Sequence, residues 1–451
     1  HNKKGLIYLK TYILDTCAVL NAFEELLNTK ENSKFVIPET VIEELDGQKI
    51  RDGELGYLAR KATRKLYSFI KGEKLNDWIS IENNNCIKIE DDYASSDTID
   101  TTINDNKILA TLPLYENSTL ITDDINLILK ANSLGFDTEF SMDINADDGY
   151  DGHVEVEVDD SIVEEFYRSD DRGVDIDSDK YKGHIDWSDV LDTEPRINSC
   201  VTLVSNLDSK RIYYTIYRNG RLEKLKYGKT KVFGSVEGKN RQQKYLLEML
   251  MDKEIKIVAV NSEAGSGKSF LATVAGLQQT LEEGYYNKIL YVKPLVAMGG
   301  ADIGFLPNSK EDKLLNGYSG TITNILENIF QEKEEEYKKQ SYADDLVEKG
   351  VLEVEAPTFM RGMSYLKTFM IIDEASNIST LDIKNICTRC GEGSKIILLG
   401  DGAQIDSKNL SAHNNGLYHV IEKLKGQKLF GTIKLDRSVR SDVAQLCVDK
   451  L

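Results

Sequence analysis

Cysteine is scarce in this chain, which has six in 451 residues. They stand far apart, as Cys17, Cys86, Cys200, Cys387, Cys390 and Cys447. This spread disfavours a disulfide framework and indicates a reducing compartment. No apolar run approaches the roughly 20 residues of a membrane-spanning helix, and no charged-then-apolar leader opens the sequence. We therefore expect a cytoplasmic protein that does not enter a membrane.

Several common binding motifs are also missing. The five histidines show no metal-ligand spacing, and Cys387 and Cys390 form a lone C-x-x-C without the second pair that a zinc site needs. No RRM or KH motif of RNA-binding domains is recognisable. With 41% hydrophobic and 29% charged residues, the composition is that of a globular protein long enough for two or three domains.

The net charge of −19 is unevenly distributed. Residues 1–140 carry −8 and residues 141–200 carry −14, whereas residues 201–235 carry +6 and residues 236–451 carry −3. Most of the acidity is therefore in one central stretch, which a basic segment follows directly. Net charge alone does not exclude a nucleic-acid partner, because local patches decide such binding.

Hydrophobic patterning divides the chain into three parts. Residues 5–140 alternate short apolar runs with helical patterns, as in an α/β domain. Residues 141–235 combine an acidic linker with a small β-rich module, in which Asn219 and Gly220 predict a tight hairpin turn. Residues 236–451 contain the apolar segments "KIVAV", "KILYV", "FMIID" and "KIILLGD", which predict a buried parallel sheet. The predicted fold class is α/β.

The segment "NSEAGSGKSF" (Asn261–Phe270) lies between one of these strands and an amphipathic helical pattern, which is the setting of a P-loop. Its glycines allow backbone N–H groups to turn toward phosphate oxygens at a helix N-terminus. The predicted phosphate contacts are Gly265, Ser266, Gly267 and Lys268. Ser269 is predicted to ligate Mg²⁺. Ser262 stands where such loops usually carry their first glycine.

Later segments extend the pattern of an ATPase. In "FMIIDEASN", Asp373 is predicted to hold Mg²⁺ and Glu374 to polarise the attacking water. In "IILLGDGAQID", Gln404 is placed to sense the γ-phosphate, a pattern typical of helicase-like enzymes. Arg437 and Arg440 are candidates for stabilising transition-state charge, although isolated arginines form surface ion pairs as often.

From about Lys231 onward the chain resembles the PhoH family of ATPases, which are related to superfamily-one helicases. The resemblance rests on "VFGSVEGKNRQQ", the P-loop, "VKPLVAMGGADIGFLP", "APTFMRGMSYLKTFMIIDEASN", "GDGAQID" and "RSVRSD". It implies a RecA-like P-loop domain that uses ATP, with Gln243 reading the adenine edge. It also implies a ring-like homo-oligomer, a hexamer for example, with Arg440 at a subunit interface. Lys293-Pro294 replaces the family's Arg-Pro, and Gly317-Tyr318 replaces a Pro-Trp.

The first part of the chain carries acids placed like those of a metal site. Asp15 and the pair Asp123-Asp124 follow predicted strands, whose carboxyl ends collect ligands in open α/β sheets. Carboxylates in one cleft raise each other's pKa unless cations bind there. Oxygen ligands favour Mg²⁺ or Mn²⁺, which activate water for phosphodiester cleavage. In a chain with 75 acidic residues, a solvated surface is the simpler interpretation of the spacing alone.

Residues 10–140 resemble a PIN nuclease domain, through "YILDT", "FVIPETVIEELD", "NDNKILATL" and "LITDDINLILKANSLGF" in that order. The resemblance implies an α/β/α fold and four metal-binding catalytic acids, Asp15, Glu44, Asp105 and Asp124. Weaker neighbours are Glu43, Asp97, Asp100 and Asp123. Cys17 takes a place usually held by Asn. A PIN domain ahead of a PhoH ATPase is a known fusion architecture, so the two resemblances together cover nearly the whole chain.

Two basic segments are candidate nucleic-acid contacts. Residues 201–235 combine eight Lys/Arg with four tyrosines, Tyr213, Tyr214, Tyr217 and Tyr227. These residues suit phosphate neutralisation and base stacking, but a β subdomain with its tyrosines packed inward explains them equally well. In the first domain, "RKATRKL" places four cations on one helix face, Arg60, Lys61, Arg64 and Lys65. Such a face is more often merely solvated, but beside a nuclease cleft it also suits a phosphate track.

The sequence thus predicts a helicase-like ATPase fused to a Mg²⁺- or Mn²⁺-dependent endoribonuclease, with ATP turnover moving single-stranded RNA toward the nuclease cleft. One alternative is an ATP-driven RNA remodeller whose PIN domain binds RNA without cleaving it. A second is an ATP-dependent protein-assembly switch that recruits a partner through residues 141–200.

Overall fold

The structure is a computed structural model in which the chain forms two compact units, residues 1–149 and 150–451. It describes residues 10–51, 54–71, 77–95, 99–141, 150–168, 174–175, 195–218, 220–230, 235–263, 265–294, 325, 345–360, 362–402, 404–405, 410, 412 and 414–436. Some residues named above lie outside the described residues, namely Asp97, Asn219, Lys231, Gly317, Tyr318, Arg437, Arg440 and Cys447. The boundaries at 140 and 235 stay predictions.

The first unit contains a six-stranded sheet with the order β3-β4-β2-β1-β5-β6. Its strands are β1 (Thr11–Leu14), β2 (Lys34–Pro38), β3 (Ile79–Ser80), β4 (Cys86–Glu90), β5 (Ser118–Ile121) and β6 (Asp137–Glu139). All neighbours are parallel except the β3–β4 pair. Ile13 of β1 pairs with Val36 of β2 and Leu120 of β5, and all three are fully buried. Burial on both faces explains the near-continuous apolar runs of these strands.

Six α-helices connect the strands among the described residues of this unit. They are α1 (Thr16–Asn21), α2 (Phe23–Thr29), α3 (Glu39–Lys49), α4 (Glu54–Ile70), α5 (Asn104–Thr111) and α6 (Ile125–Ser133). Asp15 caps α1 and Asp124 caps α6, each by accepting backbone N–H groups at the point where a strand passes into a helix. Two of the predicted metal ligands are thereby fixed at one edge of the sheet.

The second unit opens with a five-stranded sheet of the order β7-β9-β10-β11-β8. Its strands are β7 (His153–Val158), β8 (Val174–Asp175), β9 (Cys200–Ser205), β10 (Ile212–Arg218) and β11 (Arg221–Lys224), and α7 (Asp160–Arg168) packs against β9 and β10. The predicted hairpin is confirmed, because Arg218 pairs with Arg221 and Gly220 has a left-handed φ of +76°.

A wholly parallel six-stranded sheet follows, with the order β14-β13-β15-β16-β12-β17. The strands are β12 (Ile257–Ser262), β13 (Lys288–Val292), β14 (Leu352–Glu355), β15 (Thr368–Ile372), β16 (Lys395–Gly400) and β17 (Phe430–Leu435). The four apolar segments of the sequence form β12, β13, β15 and β16, which confirms that prediction. Because β16 lies between β12 and β15, the loops after these three strands leave the same sheet edge side by side.

Helices α8 (Arg241–Met251), α9 (Lys268–Leu277), α10 (Thr380–Cys387) and α11 (Gly416–Leu424) accompany this sheet. The last carbonyl groups of α8 lack intrahelical partners, and the buried ammonium group of Lys395 binds them. Its Nζ donates to the carbonyl oxygens of Met249 at 2.6 Å, Leu250 at 2.8 Å and Asp252 at 2.8 Å. Within the described segments, no helix has both the length and the apolarity needed to cross a bilayer.

Candidate functional sites

The phosphate loop connects β12 to α9. Gly265 and Gly267 have left-handed φ angles of +83° and +87°, which glycine adopts without a Cβ clash. Ser262 is the last residue of β12 and is extended there. Any residue adopts that backbone, so the serine at this position brings no strain.

Lys268 folds back across the loop from the first turn of α9. Its Nζ donates a hydrogen bond to the Ser262 carbonyl oxygen at 3.1 Å, and the Ser266 hydroxyl donates to Ser262 Oγ at 3.0 Å. Lys268 is only 9% exposed, and a poorly hydrated cation attracts phosphate more strongly than one in bulk water. The loop therefore combines N–H donors with a concentrated positive charge.

The two predicted Mg²⁺ ligands of this loop region face each other. The Ser269 hydroxyl donates to Asp373 Oδ1 across 3.4 Å, and Asp373 is almost wholly buried just after β15. A hydroxyl and a carboxylate are hard oxygen ligands of the kind that Mg²⁺ binds. The side chains present here therefore fit the metal.

Tyr291 belongs to this site although the sequence patterns did not indicate it. Its hydroxyl donates a hydrogen bond to Asp373 Oδ2 from the neighbouring strand β13. Burial raises the pKa of Tyr291 far above its usual range, and the adjacent Asp373 charge raises it further. The hydroxyl is therefore protonated and acts as a donor. The one signal in the sequence is a tyrosine inside the otherwise aliphatic "KILYV".

Glu374, the predicted water-polarising residue, has a left-handed backbone at φ +55° and ψ +38°. Such a conformation is costly for a residue with a Cβ and is often found at functional sites. Lys293 Nζ lies 3.7 Å from Glu374 Oε1. Burial and the neighbouring Asp373 raise the pKa of Glu374, whereas Lys293 and Lys268 act to lower it. Lys293 thus stabilises the ionised carboxylate that a general base requires.

The loop after β16 is joined to the phosphate-loop strand. Asn261 Oδ1, on β12, accepts a hydrogen bond of 3.1 Å from the Gly402 N–H. Gln404 follows two residues later, and its side chain is exposed. The structure thus places Gln404 on the loop between the phosphate loop and the acidic pair, and its role as a γ-phosphate sensor stays a prediction.

Gln243 touches the phosphate loop directly. Its Nε2 donates to the Ser266 carbonyl oxygen at 2.8 Å, and its Oε1 accepts from the Lys239 N–H at 2.8 Å. The side chain is buried near the start of α8. These contacts give Gln243 a part in shaping the loop, while adenine recognition stays a prediction.

In the first unit, Asp15 is the centre of the predicted carboxylate cleft. Oδ1 accepts from the Thr16 N–H at 2.6 Å, and Oδ2 accepts from the Thr122 hydroxyl at 2.6 Å and from Cys17 Sγ at 3.0 Å. Burial raises the pKa of Asp15, and the charge of Asp105 raises it further, against these hydrogen bonds. A bound cation would offset the repulsion between a buried carboxylate and a second carboxylate beside it.

The other three acids are linked to Asp15 through its neighbours. The Thr16 hydroxyl donates to Glu44 Oε2 at 2.5 Å, so one threonine touches both acids. The Thr122 hydroxyl accepts from the Asp124 N–H at 3.0 Å. Asp105 lies in the first turn of α5 and acts on Asp15 electrostatically. The structure therefore links Glu44 and Asp124 to Asp15 through shared threonines, and only Asp15 and Asp124 follow the ends of strands closely.

Cys17, which stands where the PIN pattern has Asn, supports this cleft. Besides donating to Asp15, its sulfur accepts a hydrogen bond of 3.1 Å from the Asp123 N–H. Asp123 itself accepts from the Ser141 N–H at 2.9 Å and from the Ser141 hydroxyl at 2.5 Å. Asp123 thus holds the chain at Ser141, Asp100 is bound to Thr102 in a similar way, and their part in a metal site stays a prediction.

The four cleft acids offer oxygen ligands, which fit Mg²⁺ or Mn²⁺. These acids are spaced more widely than the ligands of a closed metal site, because no three of them have ligand oxygens within 4.8 Å of one another. Within the described ranges that spacing occurs at Glu90, Asp91 and Asp92. Glu90 already accepts hydrogen bonds from Lys88 Nζ at 2.7 Å and from the Tyr115 hydroxyl. These contacts explain the buried acid of this second cluster without a metal.

All four tyrosines of residues 201–235 pack inward at least in part. Tyr217 belongs to the core of the five-stranded sheet, Tyr214 packs edge-on against Tyr245, and Tyr227 packs against the core beside α8. Tyr213 packs against the same core as Tyr217, with its ring tilted against Phe166 and perpendicular to the ring of Tyr167 in α7. Of the two interpretations of residues 201–235, the β subdomain with its tyrosines packed inward therefore agrees with the structure.

Two family models match the chain. One described as "PhoH-like protein" covers residues 235–451, and one described as "PIN domain" covers residues 12–141. Relatives named "Protein PhoH2" align with both units together. That of Bacillus subtilis (strain 168) is 32% identical over 98% of this chain and 100% of its own length. That of Thermobispora bispora is 30% identical over 98% of this chain and 96% of its own length.

The Mycolicibacterium smegmatis "Protein PhoH2" is 29% identical over 98% of this chain and 97% of its own length. A solved domain of a functionally unknown protein from Methanocaldococcus jannaschii covers 29% of this chain and 90% of its own, at 26% identity and a TM-score of 0.22. A TM-score that low carries no structural argument, so the similarity rests on the sequence matches.

Proposed function

The chain belongs to the PhoH2 family and joins a PIN domain to a PhoH domain, and from this premise we propose that it couples ATP hydrolysis to metal-dependent cleavage of single-stranded RNA. PhoH proteins bind and hydrolyse ATP, and PIN domains are usually nucleases. One observation supports the proposal most directly: in each domain, acids follow the ends of parallel strands. In the PhoH domain these acids lie beside the phosphate loop. In the PIN domain they lie around the buried Asp15.

In the PhoH domain, the phosphate loop and the acidic pair have different roles in ATP hydrolysis. The loop N–H groups and Lys268 bind the β- and γ-phosphates, and Glu374 orients the attacking water and accepts its proton. Ser269 and Asp373 hold Mg²⁺, which when bound neutralises phosphate charge. Gln404 reports the presence of the γ-phosphate.

In the PIN domain, the cleft acids perform the cleavage of RNA. Asp15, Glu44, Asp105 and Asp124 hold Mg²⁺ or Mn²⁺, which when bound supplies an activated water and stabilises the leaving oxygen. Asp15 is oriented by Thr16, Cys17 and Thr122 before any ion arrives. A ligand fixed in this way binds metal with less loss of side-chain freedom.

ATP turnover then serves to draw a single strand toward the PIN cleft, as expected for a helicase-like enzyme. We propose that the working form is a ring-shaped homo-oligomer, in which Arg437 and Arg440 stabilise transition-state charge, Arg440 from a neighbouring subunit. RNA that stimulates ATP hydrolysis supports this coupling. An ATPase rate that RNA does not change at any salt concentration favours a protein-assembly switch instead.

Labelled single-stranded RNA with Mn²⁺ tests the nuclease half. Wild type is expected to degrade the strand, and Asp15→Asn to be slower by at least about 100-fold, because a direct ligand matters at least as much as its supporting residues. Asp137→Asn is the matched control, since Asp137 is an exposed acid at the start of β6 and none of the predicted ligands. Equal degradation by wild type and Asp15→Asn contradicts the assignment.

The openness of the cleft favours one alternative, an ATP-driven remodeller whose PIN domain binds RNA without cutting. No three of the four acids have their oxygens within 4.8 Å in the described structure. That alternative predicts RNA-stimulated ATP hydrolysis with the RNA left intact at every Mg²⁺ and Mn²⁺ concentration. Metal-dependent shortening of the RNA that disappears in Asp15→Asn eliminates it.

A further inference from the structure

One face of α4, continued by Lys71 just after the helix ends, carries aromatic and basic side chains. Tyr57, Arg60, Arg64, Tyr67 and Lys71 follow one another at intervals of three and four residues. At 3.6 residues per turn these positions fall within an arc of about 80°. All five are exposed, Tyr57 by 36% and Tyr67 by 64%. We call these five residues the α4 stripe.

The orientation of the α4 stripe is set by the opposite face of the helix. Ala59, Ala62 and Leu66 are buried in the core of the first unit, and they lie about half a turn away from the stripe. Helix α4 packs against α1 and α3. These two helices carry Thr16 and Glu44 of the predicted cleft, so α4 directly contacts two elements that contribute to it.

The basic groups of the stripe are available for an anion. Among the described residues, Arg64 has no hydrogen bond, ion pair or ring contact. Arg60 donates one bond to the Lys49 carbonyl oxygen at 2.7 Å, which steadies a guanidinium that has five N–H donors in total. By contrast, Lys61 beside the stripe is paired with Glu24 at 2.8 Å. The stripe thus differs from an ordinary face of internal ion pairs.

We propose that the α4 stripe binds single-stranded RNA and delivers it to the carboxylate cleft, an inference that rests on the proposed nuclease function. The charges complement phosphate groups, although the whole chain carries −19. The exposed rings of Tyr57 and Tyr67 offer faces on which unpaired bases stack. From Tyr57 to Lys71 the helix rises about 21 Å, long enough for several nucleotides. Stacking and phosphate contacts do not involve the edges of the bases, so we expect this surface to bind RNA of any sequence.

Cleavage kinetics without ATP test the stripe apart from the motor. Short labelled single-stranded RNA is digested with Mn²⁺ by wild type, Tyr67→Ala and Arg64→Ala. Each variant is expected to raise KM at least about fivefold with kcat unchanged, because the stripe binds substrate and transition state equally. Arg64→Ala also reduces the slope of log KM against log salt by about 0.7 for the one lost phosphate contact, whereas Tyr67→Ala leaves that slope unchanged.

Matched controls come from exposed residues outside the stripe. Tyr93→Ala removes a tyrosine that is 45% exposed, and Lys384→Ala, the charge control, removes an exposed cation outside residues 201–235. Both are expected to keep the wild-type KM. If the stripe variants also keep it while wild type cleaves, the stripe assignment is wrong and the nuclease proposal stands. If folded wild type neither binds nor cleaves the RNA, both are wrong.

Discussion

The hydroxyl of Tyr291 donates a hydrogen bond to the carboxylate of Asp373, across two neighbouring parallel strands. The Asp373 N–H also donates to the Val292 carbonyl oxygen at 2.8 Å, so strand β13 holds both the backbone and the side chain of this acid. The other carboxylate oxygen faces Ser269. Asp373 is therefore oriented toward the predicted Mg²⁺ position before nucleotide arrives, as supporting residues do in metal sites.

We expect Tyr291→Phe to raise the Mg²⁺ concentration needed for half-maximal ATP hydrolysis by about tenfold, because Asp373 loses the donor that orients it. Mg²⁺ titration of fluorescent-nucleotide binding gives a second readout that does not depend on turnover. Tyr286→Phe is the control, since the buried Tyr286 hydroxyl has no hydrogen-bond partner among the described residues. An unchanged Mg²⁺ requirement in Tyr291→Phe contradicts the role assigned to Tyr291.

Lys293 is expected to position Glu374, whose carboxylate it meets at 3.7 Å. Lys293→Ala should lower kcat for ATP hydrolysis about tenfold with KM for ATP nearly unchanged, because an oriented base acts in the transition state. Lys293→Arg keeps the charge, and we expect it to restore most of the rate. Steady-state kinetics of the two variants decide the matter. A rise in KM with constant kcat would show that Lys293 binds ATP instead.

The buried side chain of Lys395 is expected to make the free energy of unfolding depend on pH at neutral to alkaline values. Burial lowers the pKa of its amine to about 7 from 10.5. Between these values the unfolded chain holds a proton that the folded chain has released, so the free energy of unfolding rises with pH across this window. Urea unfolding at several pH values should show wild type gaining up to about 1.4 kcal/mol per pH unit relative to Lys395→Met. A difference that is constant over this window contradicts the buried, deprotonating amine.

The sequence predicted the parts of the fold that depend on local pattern. The apolar runs before Ser262 and Asp373 form β12 and β15, and the run at Thr11–Leu14 forms β1. The glycines of the phosphate loop were predicted to let the backbone turn, and they have left-handed φ angles. These features are visible in sequence because strand burial and glycine conformation are set by a few adjacent residues.

Contacts between distant segments could not be predicted in the same way. Tyr291 and Asp373 are 82 residues apart, and their contact follows only from the pairing of β13 with β15. The hydrogen bond from Gln243 to the Ser266 carbonyl oxygen depends on where α8 packs. The tyrosines of β10 fit two interpretations in sequence, because alternation does not say which face of a small sheet is covered.

Degradation of RNA that has a duplex region and a single-stranded overhang, measured with Mn²⁺ and with or without ATP, tests the coupling of the two sites most directly. Wild type is expected to digest the overhang without ATP and to enter the duplex only with ATP. Lys268→Ala, which loses the amine that binds phosphate, is expected to digest the overhang and stop at the duplex under both conditions. Duplex degradation that needs no ATP, or a folded Lys268→Ala protein that no longer cuts the overhang, would contradict an ATPase that feeds a separate nuclease.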